Sequence, residues 1–476
     1  MNRNKLAFAV LLSGLITTNA FATNGYFSHG YGAKEKGMAG AGVAQGSSSI
    51  SSATNPAGLL NVGDSMDVGF SLFDPVRSYT VEGGPAFPAG FTPIIGNPGL
   101  NCGDGMTPLA APTCQVPFSH IPGTVDSGRE WFLVPSFGYS SRIDEKMVWG
   151  ISLYGNGGMN STYNGGMARL FNPGTNSIVD APGAYGAGKA GVDLMQLFVN
   201  TTLAYQASET VGVGASVIFA AQSFAATGLA PFANNSLAPT KLTDNGHDIA
   251  TGFGVKLGIN IDLSDELTLG ISYQSKIDMG KFDDYSGLFA EGGDFDIPST
   301  YTVGIAYKTS EISTMLIDYQ VINYTDVAAV SNGIGTLLNP ATCTDALNNT
   351  LMTGSQAASG SGCLGGANGA GFGWDDVSVI KLGYEWQAGK NTYRIGYSTT
   401  DQPIDSSQLN FNILAPGVVE DHFTAGYTSN SGENQWTVFI MYAPEVEVTG
   451  YSSFDPSPQK ITIRMHELEF GFDYHF

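Results

Sequence analysis

The chain ends in Leu468-Glu469-Phe470-Gly471-Phe472-Asp473-Tyr474-His475-Phe476. Apolar or aromatic side chains occupy every second position here, and Glu, Gly, Asp and His lie between them. Because successive side chains of a β-strand point to opposite faces, such a strand has one apolar and one polar face. A strand between lipid and a polar lumen needs that pattern, which therefore predicts a transmembrane β-barrel. An edge strand of a soluble sandwich is the alternative interpretation.

Residues 1–22 have the composition of a secretory signal peptide. Basic residues precede an apolar run over 6–16, and Ala20 and Ala22 fit a small-x-small cleavage site. Together with the terminal strand, this segment predicts export of the protein to the bacterial outer membrane.

The composition restricts the classes of partner. The 476 residues carry a formal net charge of −22, which argues against nucleic-acid binding and against docking onto an anionic membrane surface. Charged residues make up 13% of the chain, well below the ~25% of soluble domains. After the predicted signal, no run approaches the ~18 apolar residues of a membrane-spanning helix. These properties are typical of an outer-membrane barrel, with lipid, lipopolysaccharide and the barrel-assembly machinery as expected partners.

Alternating segments recur along the chain and indicate about fourteen strands. Short polar turns lie near residues 143–145, 207–209, 262–266, 308–312, 387–391 and 430–434. Long connections rich in Gly and Pro alternate with them, near 83–129, 157–190, 225–246, 281–296, 326–373, 401–419 and 449–459. Outer-membrane barrels combine tight periplasmic turns with long external loops. The predicted fold class is therefore all-β, a transmembrane antiparallel β-barrel over residues 64–476.

Aromatic residues near the ends of predicted strands fit the girdles that mark the two membrane interfaces. They are Trp131, Tyr154, Tyr205, Trp374, Trp386, Trp436 and Tyr442. Each of them could instead be an ordinary core residue.

Residues 23–63 precede the first predicted strand and are rich in Gly and Ser, notably over 37–42 and 46–57. About fourteen strands leave a hole that side chains alone do not fill. Small residues with interspersed Met38 and Ile50 suit a compact insert in that hole better than the alternative, a flexible periplasmic tail. We therefore predict an N-terminal hatch over 23–63 that plugs the lumen.

The four cysteines are Cys102, Cys114, Cys343 and Cys363, which allow three pairings in an oxidising periplasm. We predict Cys102–Cys114 and Cys343–Cys363, because each of these pairs falls within one long connection. Zinc binding is the alternative, but the sequence lacks the short CxxC spacing of such sites and has no nearby His.

Several short motifs follow one another along the chain. They are Gly37-Met38-Ala39-Gly40-Ala41-Gly42, Asn55-Pro56-Ala57, Val134-Pro135-Ser136-Phe137-Gly138-Tyr139, Ile297-Pro298-Ser299-Thr300-Tyr301-Thr302-Val303-Gly304, Tyr393-Arg394-Ile395-Gly396-Tyr397 with Gln402-Pro403, and Asp421-His422-Phe423-Thr424-Ala425-Gly426-Tyr427. With these motifs the chain resembles the FadL/TodX (OMPP1) family of outer-membrane transporters for long-chain fatty acids and other hydrophobic compounds.

The resemblance implies a fourteen-stranded barrel in which Asn55, Pro56 and Ala57 belong to the hatch motif. It also implies passive transport by loop capture, hatch-gated passage and lateral release at a kinked strand. Glycines such as Gly155 and Gly157 fit a kink there, although fraying into a loop explains them equally well.

Apolar residues in the predicted external loops are the candidate ligand contacts, because exposed apolar clusters commonly mark binding sites. They are Phe87, Phe91, Ile94 and Ile95 in the first loop, and Met159, Leu170 and Phe171 in the second. A fatty-acid carboxylate needs a cation, for which Arg169, Lys189, Lys256, Lys381 and Arg394 are the candidates. Packing among the loops and neutralisation of acidic lumen residues are the alternative roles. The scarcity of basic residues also leaves room for a neutral or aromatic hydrocarbon as ligand.

Other classes of function have weaker support. The sequence contains neither a GxSxG elbow nor an HExxH motif, so we predict no enzyme, no catalytic residue, no cofactor and no metal site. A general porin for polar solutes needs no hatch, and a structural adhesin would be supported only by the long loops. The oligomeric state is not specified by the sequence, and a monomer is our expectation.

Overall fold

The computed structural model describes residues 24–86, 89, 118–172, 175, 177–431, 434–455, 457 and 459–476. The predicted signal peptide over 1–22 therefore lies outside the described residues. Fourteen antiparallel strands in the described chain form one closed barrel. They are β1 (Ser65–Glu82), β2 (Phe132–Arg142), β3 (Met147–Asn160), β4 (Gly191–Ser208), β5 (Val211–Thr227), β6 (Asp248–Asp262), β7 (Leu267–Gln274), β8 (Thr300–Ser310), β9 (Ser313–Ile322), β10 (Val377–Ala388), β11 (Asn391–Thr400), β12 (Asp421–Ser431), β13 (Asn434–Tyr451) and β14 (Lys460–His475).

The first and last strands close the barrel. β14 pairs with β13 and also with β1, in a register that runs from Asp67 opposite His475 to Glu82 opposite Lys460. Neighbouring strands of the barrel are otherwise consecutive in sequence. The predicted number of strands, their antiparallel arrangement and the alternation of short and long connections are confirmed.

Side chains in β14 alternate between lumen and lipid as the sequence indicates. Glu469 and Asp473 are buried, whereas Phe470 is 40% exposed on the outer surface. The outer surface of other strands is likewise apolar, with Phe253 66% exposed and Ile440 50% exposed. An apolar exterior around a polar interior is what a bilayer requires of a barrel.

Two residues assigned to the aromatic girdles lie elsewhere. Trp131, Tyr205 and Tyr442 are exposed on the barrel surface, but Trp374 and Tyr154 are 1% exposed. The indole of Trp374 donates a hydrogen bond to Asn412 Oδ1 at 2.7 Å, inside the loop core. The girdle interpretation is wrong for these two residues, because an aromatic side chain near a strand end gives the same sequence pattern whether it faces lipid or the protein interior.

The long connections and the residues before β1 contain regular structure of their own. Short strands span Phe118–His120, Gly123–Asp126, Met167–Asn172, Ser177–Pro182 and Asp278–Met279. Short helices, several of them single 3₁₀ turns, span Ala33–Lys36, Ser49–Ala53, Pro56–Gly58, Leu59–Val62, Ala230–Asn235, Pro239–Lys241, Asp283–Tyr285, Ala290–Gly293, Tyr324–Asp326, Ala328–Ser331, Gly335–Leu338, Ala346–Thr353 and Leu409–Asn412. The long connection expected near 157–190 is present but begins later, since β3 continues to Asn160, and it contains a hairpin. Among the described helices, none combines the length and apolarity needed to cross a membrane.

Residues 24–63, the N-terminal segment, contact strands around the barrel. Ala33 N donates to Asp473 Oδ2 of β14 at 2.5 Å, and Gly42 N donates to Asp318 Oδ2 of β9 at 2.8 Å. Asp67 of β1 accepts from the backbone N–H of the segment's Ser49 at 2.8 Å. Asp67 and Asp473 belong to the neighbouring strands β1 and β14, whereas β9 lies five strands away from β14, so the segment contacts the inner wall at two separate places.

Glycines of the inner wall make room for the N-terminal segment. At Gly214, Gly258 and Gly396, an added Cβ would meet atoms of Pro56, Asn55 and Met38 closer than van der Waals contact allows. Gly138 of β2 and Gly270 of β7 face other atoms of the segment in the same way. A glycine in a strand interior commonly marks such a close approach of another backbone.

Candidate functional site

An apolar cavity, the outer cavity, lies at the end of the barrel where the long connections meet. It has a volume of about 470 Å³, open space included, and fourteen residues line it. Every one of them is apolar or glycine, among them Phe224, Phe232, Phe289, Phe372, Phe411 and Leu414. A concave site without polar groups selects ligands by apolar burial, at roughly 25 cal/mol per Å².

Four long connections contribute to the wall of the outer cavity. Leu364 lines the cavity and follows Cys363, whose disulfide with Cys343 closes part of the connection between β9 and β10. The backbone of Leu364 exchanges hydrogen bonds of 3.0 Å with Asn235 O and Leu237 N, which lie in the connection after β5. The disulfide therefore fixes one side of the cavity against a second loop.

A row of aromatic rings, the aromatic row, leads inward from the outer cavity. Phe224 and Phe289 line the cavity with ring centroids 4.6 Å apart, and Phe295 lies 4.8 Å from Phe289. Tyr26 of the N-terminal segment follows at 6.2 Å from Phe295, and its neighbour Phe27 at 5.2 Å from Tyr26. The row offers continuous apolar contact between the loops and the N-terminal segment.

A second cavity, the inner chamber, lies between the N-terminal segment and the barrel wall. Its volume is also about 470 Å³ including open space, but its lining is largely polar. The lining includes Phe27, Lys256, Gln274, Asp318, Gln320 and Lys381. The two cavities therefore differ in chemistry, although the aromatic row reaches both.

The two lysines of the inner chamber hold the N-terminal segment. Lys256 Nζ on β6 donates to Ala53 O, and Lys381 Nζ on β10 donates to His29 O at 2.9 Å. Both acceptors are backbone carbonyls of the segment, so each lysine joins the barrel wall to it.

The barrel wall is irregular at β3. Its register against β4 shifts between Gly155 and Gly157, which places a bulge at Asn156. β2 pairs with β3 only as far as Tyr154, and no described residue of β2 pairs with β3 beyond it. We call this region the wall gap.

Residues of the N-terminal segment cover the wall gap from inside. Ser28 N donates to Asn156 O at 2.8 Å, and Gly158 N donates to Tyr26 O at 2.9 Å. The segment thus takes hydrogen-bonding positions that a neighbouring strand would otherwise fill.

The candidate cations occupy different environments. Lys256 and Lys381 line the inner chamber, whereas Arg394 Nη2 forms an ion pair of 2.6 Å with Glu385. Arg169 pairs with Asp180 at 2.6 Å in the loop hairpin, and Lys189 is exposed. The last three do not line either cavity.

The other candidates are also dispersed. Met159 is buried on β3 beyond the bulge, and Leu170 and Phe171 are partly buried in the loop hairpin, outside the lining of both cavities. Asn55 Oδ1 accepts from Ala57 N at 3.0 Å and caps the turn of the predicted hatch motif. The remaining candidates lie outside the described residues: Phe87, Phe91, Ile94, Ile95, Cys102 and Cys114.

The residues that line the outer cavity were not among the candidates predicted from the sequence. Phe232, Phe289 and Phe411 lie in the third, fourth and sixth long connections, where apolar residues stand among Gly and Pro as in the first two. The same criterion applied to every long connection would have found them. Among the described residues, no three His, Cys, Asp or Glu side chains form a group able to hold a metal ion.

Glu35 in the N-terminal segment gives a pH-dependent contact. Burial raises the pKa of its carboxyl from 4.5 to about 7, against the opposing effect of the hydrogen bond from Thr54 Oγ1. When the N-terminal segment is packed inside the barrel, which we call the seated state, the Glu35 carboxyl therefore keeps its proton up to a higher pH than it does when the segment is released into water. Glu35 therefore stabilises the seated state most below pH 4.5. This contribution declines as the pH rises from 4.5 to about 7, and it stays low above about pH 7.

We therefore expect faster amide hydrogen exchange in 24–63 at about pH 8.5 than at about pH 5.5, after correction for the intrinsic rate. Glu35→Gln should reduce this difference, because the amide does not titrate. Equal pH dependence in the variant and the unaltered protein would contradict the assignment to Glu35.

The closed barrel, its apolar exterior and its internal cavities define an outer-membrane transport protein. A family model described as outer membrane protein transport protein (OMPP1/FadL/TodX) matches residues 9–414. The chain belongs to this family, whose members are outer-membrane transporters of hydrophobic compounds.

Solved structures show the same fold. The Pseudomonas putida toluene transporter TodX is 16% identical with a TM-score of 0.59, covering 95% of this chain and 99% of its own. A Pseudomonas aeruginosa FadL homologue is 14% identical with a TM-score of 0.59 and the same coverage of the two chains. The Ralstonia pickettii toluene transporter TbuX is 17% identical with a TM-score of 0.53, covering 94% and 98%. Among curated proteins, none matches this sequence significantly.

Proposed function

We propose that the chain carries hydrophobic compounds inward through the outer membrane without a cofactor. The ligand enters the outer cavity, follows the aromatic row and leaves sideways through the wall gap when the N-terminal segment moves. The observation that carries this proposal is the wholly apolar lining of the outer cavity. A polar solute gains nothing there, which disfavours a general porin.

The N-terminal segment acts as a hatch in this proposal. It covers the wall gap through Tyr26 and Ser28, and it is held to the wall by two lysines. Because the same segment contributes two rings to the aromatic row, a ligand that reaches Tyr26 contacts the part of the chain that must move.

Long-chain fatty acids are the proposed ligands, and monoaromatic hydrocarbons are the alternative. The aromatic row favours a long ligand, since it extends from the loops to the N-terminal segment. A neutral hydrocarbon is the second candidate, because no charged side chain lines the outer cavity.

Uptake of labelled hexadecanoic acid and labelled toluene tests the proposal, in cells that lack their own transporters for both. We expect Ala329→Phe, which fills the outer cavity, to lower uptake at least about tenfold, because ligand and ring cannot share the space. Ala357→Phe is the matched control, since Ala357 is exposed in the same connection and does not line the cavity.

Three results would change the conclusion. Uptake of neither compound by folded, unaltered protein would reject the proposed function. Uptake of toluene alone would leave the alternative ligand class. Equal loss in both variants would mean that the connection, and not the cavity, is required.

A further inference from the structure

The alternation of side chains in β14 is inverted beyond Leu468. Between Leu468 and the C-terminus, apolar side chains such as Phe470 face outward and acidic ones such as Glu469 face the lumen. From His466 to Lys460 the inward side chains are apolar and buried, and the outward ones are polar or charged; they are Ile461, Ile463 and Met465 inward, and Lys460, Arg464 and His466 outward. Because a wall in contact with lipid needs an apolar outer face, the apolar part of the bilayer ends near Leu468.

The neighbouring strand β13 makes the same change with a bulge. Ile440 and Tyr442 are exposed on the lipid-facing side, and the register against β14 shifts between Ala443 and Val446. After the shift, Val446 packs against the loop core, whereas Glu447 is exposed on the outside. A bulge turns the side chains that follow it to the opposite faces. Without the bulge, Val446 would face outward and Glu447 inward.

The outward face formed in this way, the polar extension, covers three neighbouring strands at the end of the barrel that carries the long connections. It consists of Ser78, Thr80 and Glu82 on β1, Glu445, Glu447 and Tyr451 on β13, and Lys460, Arg464 and His466 on β14. Arg464 Nε donates to Glu447 Oε2 at 2.8 Å and Nη1 donates to Thr80 Oγ1 at 2.9 Å. Lys460 Nζ lies 3.2 Å from Glu82 Oε2. The side chains of Arg464 and Lys460 are nevertheless accessible from outside, at 30% and 45% exposed.

The height of the two cations above the bilayer follows from strand geometry. Arg464 lies four residues beyond Leu468, which is about 13 Å along the strand at ~3.3 Å per residue. With a strand tilt of about 40°, this distance is roughly 10 Å along the membrane normal. Because the head-group region on one side of a bilayer is about 5–8 Å thick, the long side chain of Arg464 reaches the outer edge of the head groups. By the same arithmetic, Lys460 lies about 20 Å above the apolar boundary.

We propose that the polar extension binds lipopolysaccharide, the lipid of the outer leaflet. Arg464 takes a phosphate group of the lipid A head, because a guanidinium binds phosphate through two parallel hydrogen bonds. Its Nη2 has no partner among the described residues and is available to the phosphate. Lys460 binds an anionic group of the core sugars that lie farther from the bilayer. The exposed ring of Tyr451, opposite Lys460 in the register, offers an apolar face to a sugar.

The ion pairs of the polar extension do not prevent this binding. Exposed ion pairs contribute little to stability, and a phosphate group carries more negative charge than the carboxylate of Glu447 that it replaces. Glu445 and Glu447 remain beside the phosphate, where Mg²⁺ is shared between their oxygens and those of the phosphate. Divalent cations therefore increase the affinity, since the carboxylates alone would repel the anionic lipid.

Titration of the protein in detergent with rough lipopolysaccharide, which consists of lipid A and core sugars, tests the surface. The comparison probe is the same lipid after removal of its phosphates, and native mass spectrometry counts the bound molecules in the presence of Mg²⁺. We expect the unaltered protein to prefer the phosphorylated lipid at least about tenfold. The double variant Arg464→Gln, Lys460→Gln should lose this preference. Because both positions are exposed beyond the lipid-facing wall, the barrel should still fold.

Two further variants sharpen the test. Arg142→Gln with Lys308→Gln is the matched control, because it removes two exposed cations beside short turns at the opposite end of the barrel and should keep the preference. Chelation of Mg²⁺ should weaken binding to the unaltered protein. Glu445→Gln with Glu447→Gln should make binding insensitive to chelation, because the repelling charges are gone.

Crosslinking in whole cells locates the bound lipid. A photoreactive side chain in place of Tyr451 should crosslink to lipopolysaccharide, whereas one in place of Ser264, in a short turn, should not. Equal affinity of the unaltered protein for both forms of the lipid, or a preference that survives loss of Arg464 and Lys460, would overturn the proposal. Crosslinks from Tyr451 to a protein and not to lipopolysaccharide would also overturn it, and would identify a protein partner for this face. Binding that chelation does not change would reject the part assigned to the two glutamates.

Discussion

Deletion of Asn156 is expected to reduce uptake of hydrophobic compounds at least about tenfold while the barrel still assembles. Asn156 is the extra residue at the bulge of β3, and its removal lets Gly155 and Gly157 follow one another in register with β4. A regular β3 can then extend its pairing with β2 and close the wall gap. The measurement is uptake of labelled hexadecanoic acid and toluene by cells with equal amounts of folded protein.

Two controls isolate the bulge from its side chain. Asn156→Ala keeps the bulge but removes the hydrogen bonds to Tyr31 and Gln196, each of 2.9 Å. Deletion of Ala207 removes a residue at another register shift, between Gln206 and Ser208 near a short turn. Uptake should persist in both controls, and normal uptake after deletion of Asn156 would show that the ligand leaves by another path.

Replacement of Gly214 and Gly258 by Leu is expected to displace the turn at Asn55–Ala57 and open the barrel to water. The added side chains need space that Pro56 and Asn55 occupy, and overpacking of this kind costs roughly 1–3 kcal/mol per site. A barrel of fourteen strands without an insert has a lumen wide enough for polar solutes. We expect stepwise ion conductance in planar bilayers and greater sensitivity of cells to hydrophilic antibiotics.

Ala215→Leu is the matched control for this pair of substitutions. Ala215 follows Gly214 in β5 but is exposed on the outer surface, where lipid accommodates a larger side chain. Its conductance should equal that of the unaltered protein. Unchanged conductance in the double glycine variant, with 24–63 still protected from exchange, would show that the turn tolerates the added volume.

The barrel was predictable from sequence because lipid and lumen impose a period of two on every strand separately. Phe470 and Glu469 carry that information without reference to any other part of the chain. The loops follow no such rule. The hydrogen bond from Leu237 N to Leu364 O joins two connections that are far apart in sequence, and the local sequence of neither connection predicts it.

The site was predictable only in part, for the same reason. Alternation identified Lys256 and Lys381 as lumen residues, but it did not reveal that they line one chamber with Asp318. The outer cavity requires several loops to converge, so its residues share no motif. The assignment of Trp374 to an aromatic girdle was wrong, because an aromatic residue near a strand end can contact either lipid or other aromatic rings.

The closing strand β14 also couples the wall of the barrel to its interior. It pairs with β1 across almost the whole chain, and its Asp473 and Glu469 bind Ala33 and Lys36 of the N-terminal segment, at 2.5 Å each. A buried carboxylate without a partner is costly, so the contacts of Asp473 and Glu469 with the N-terminal segment stabilise the strand that closes the barrel. Closure of the wall and filling of the interior are thus coupled through a single strand.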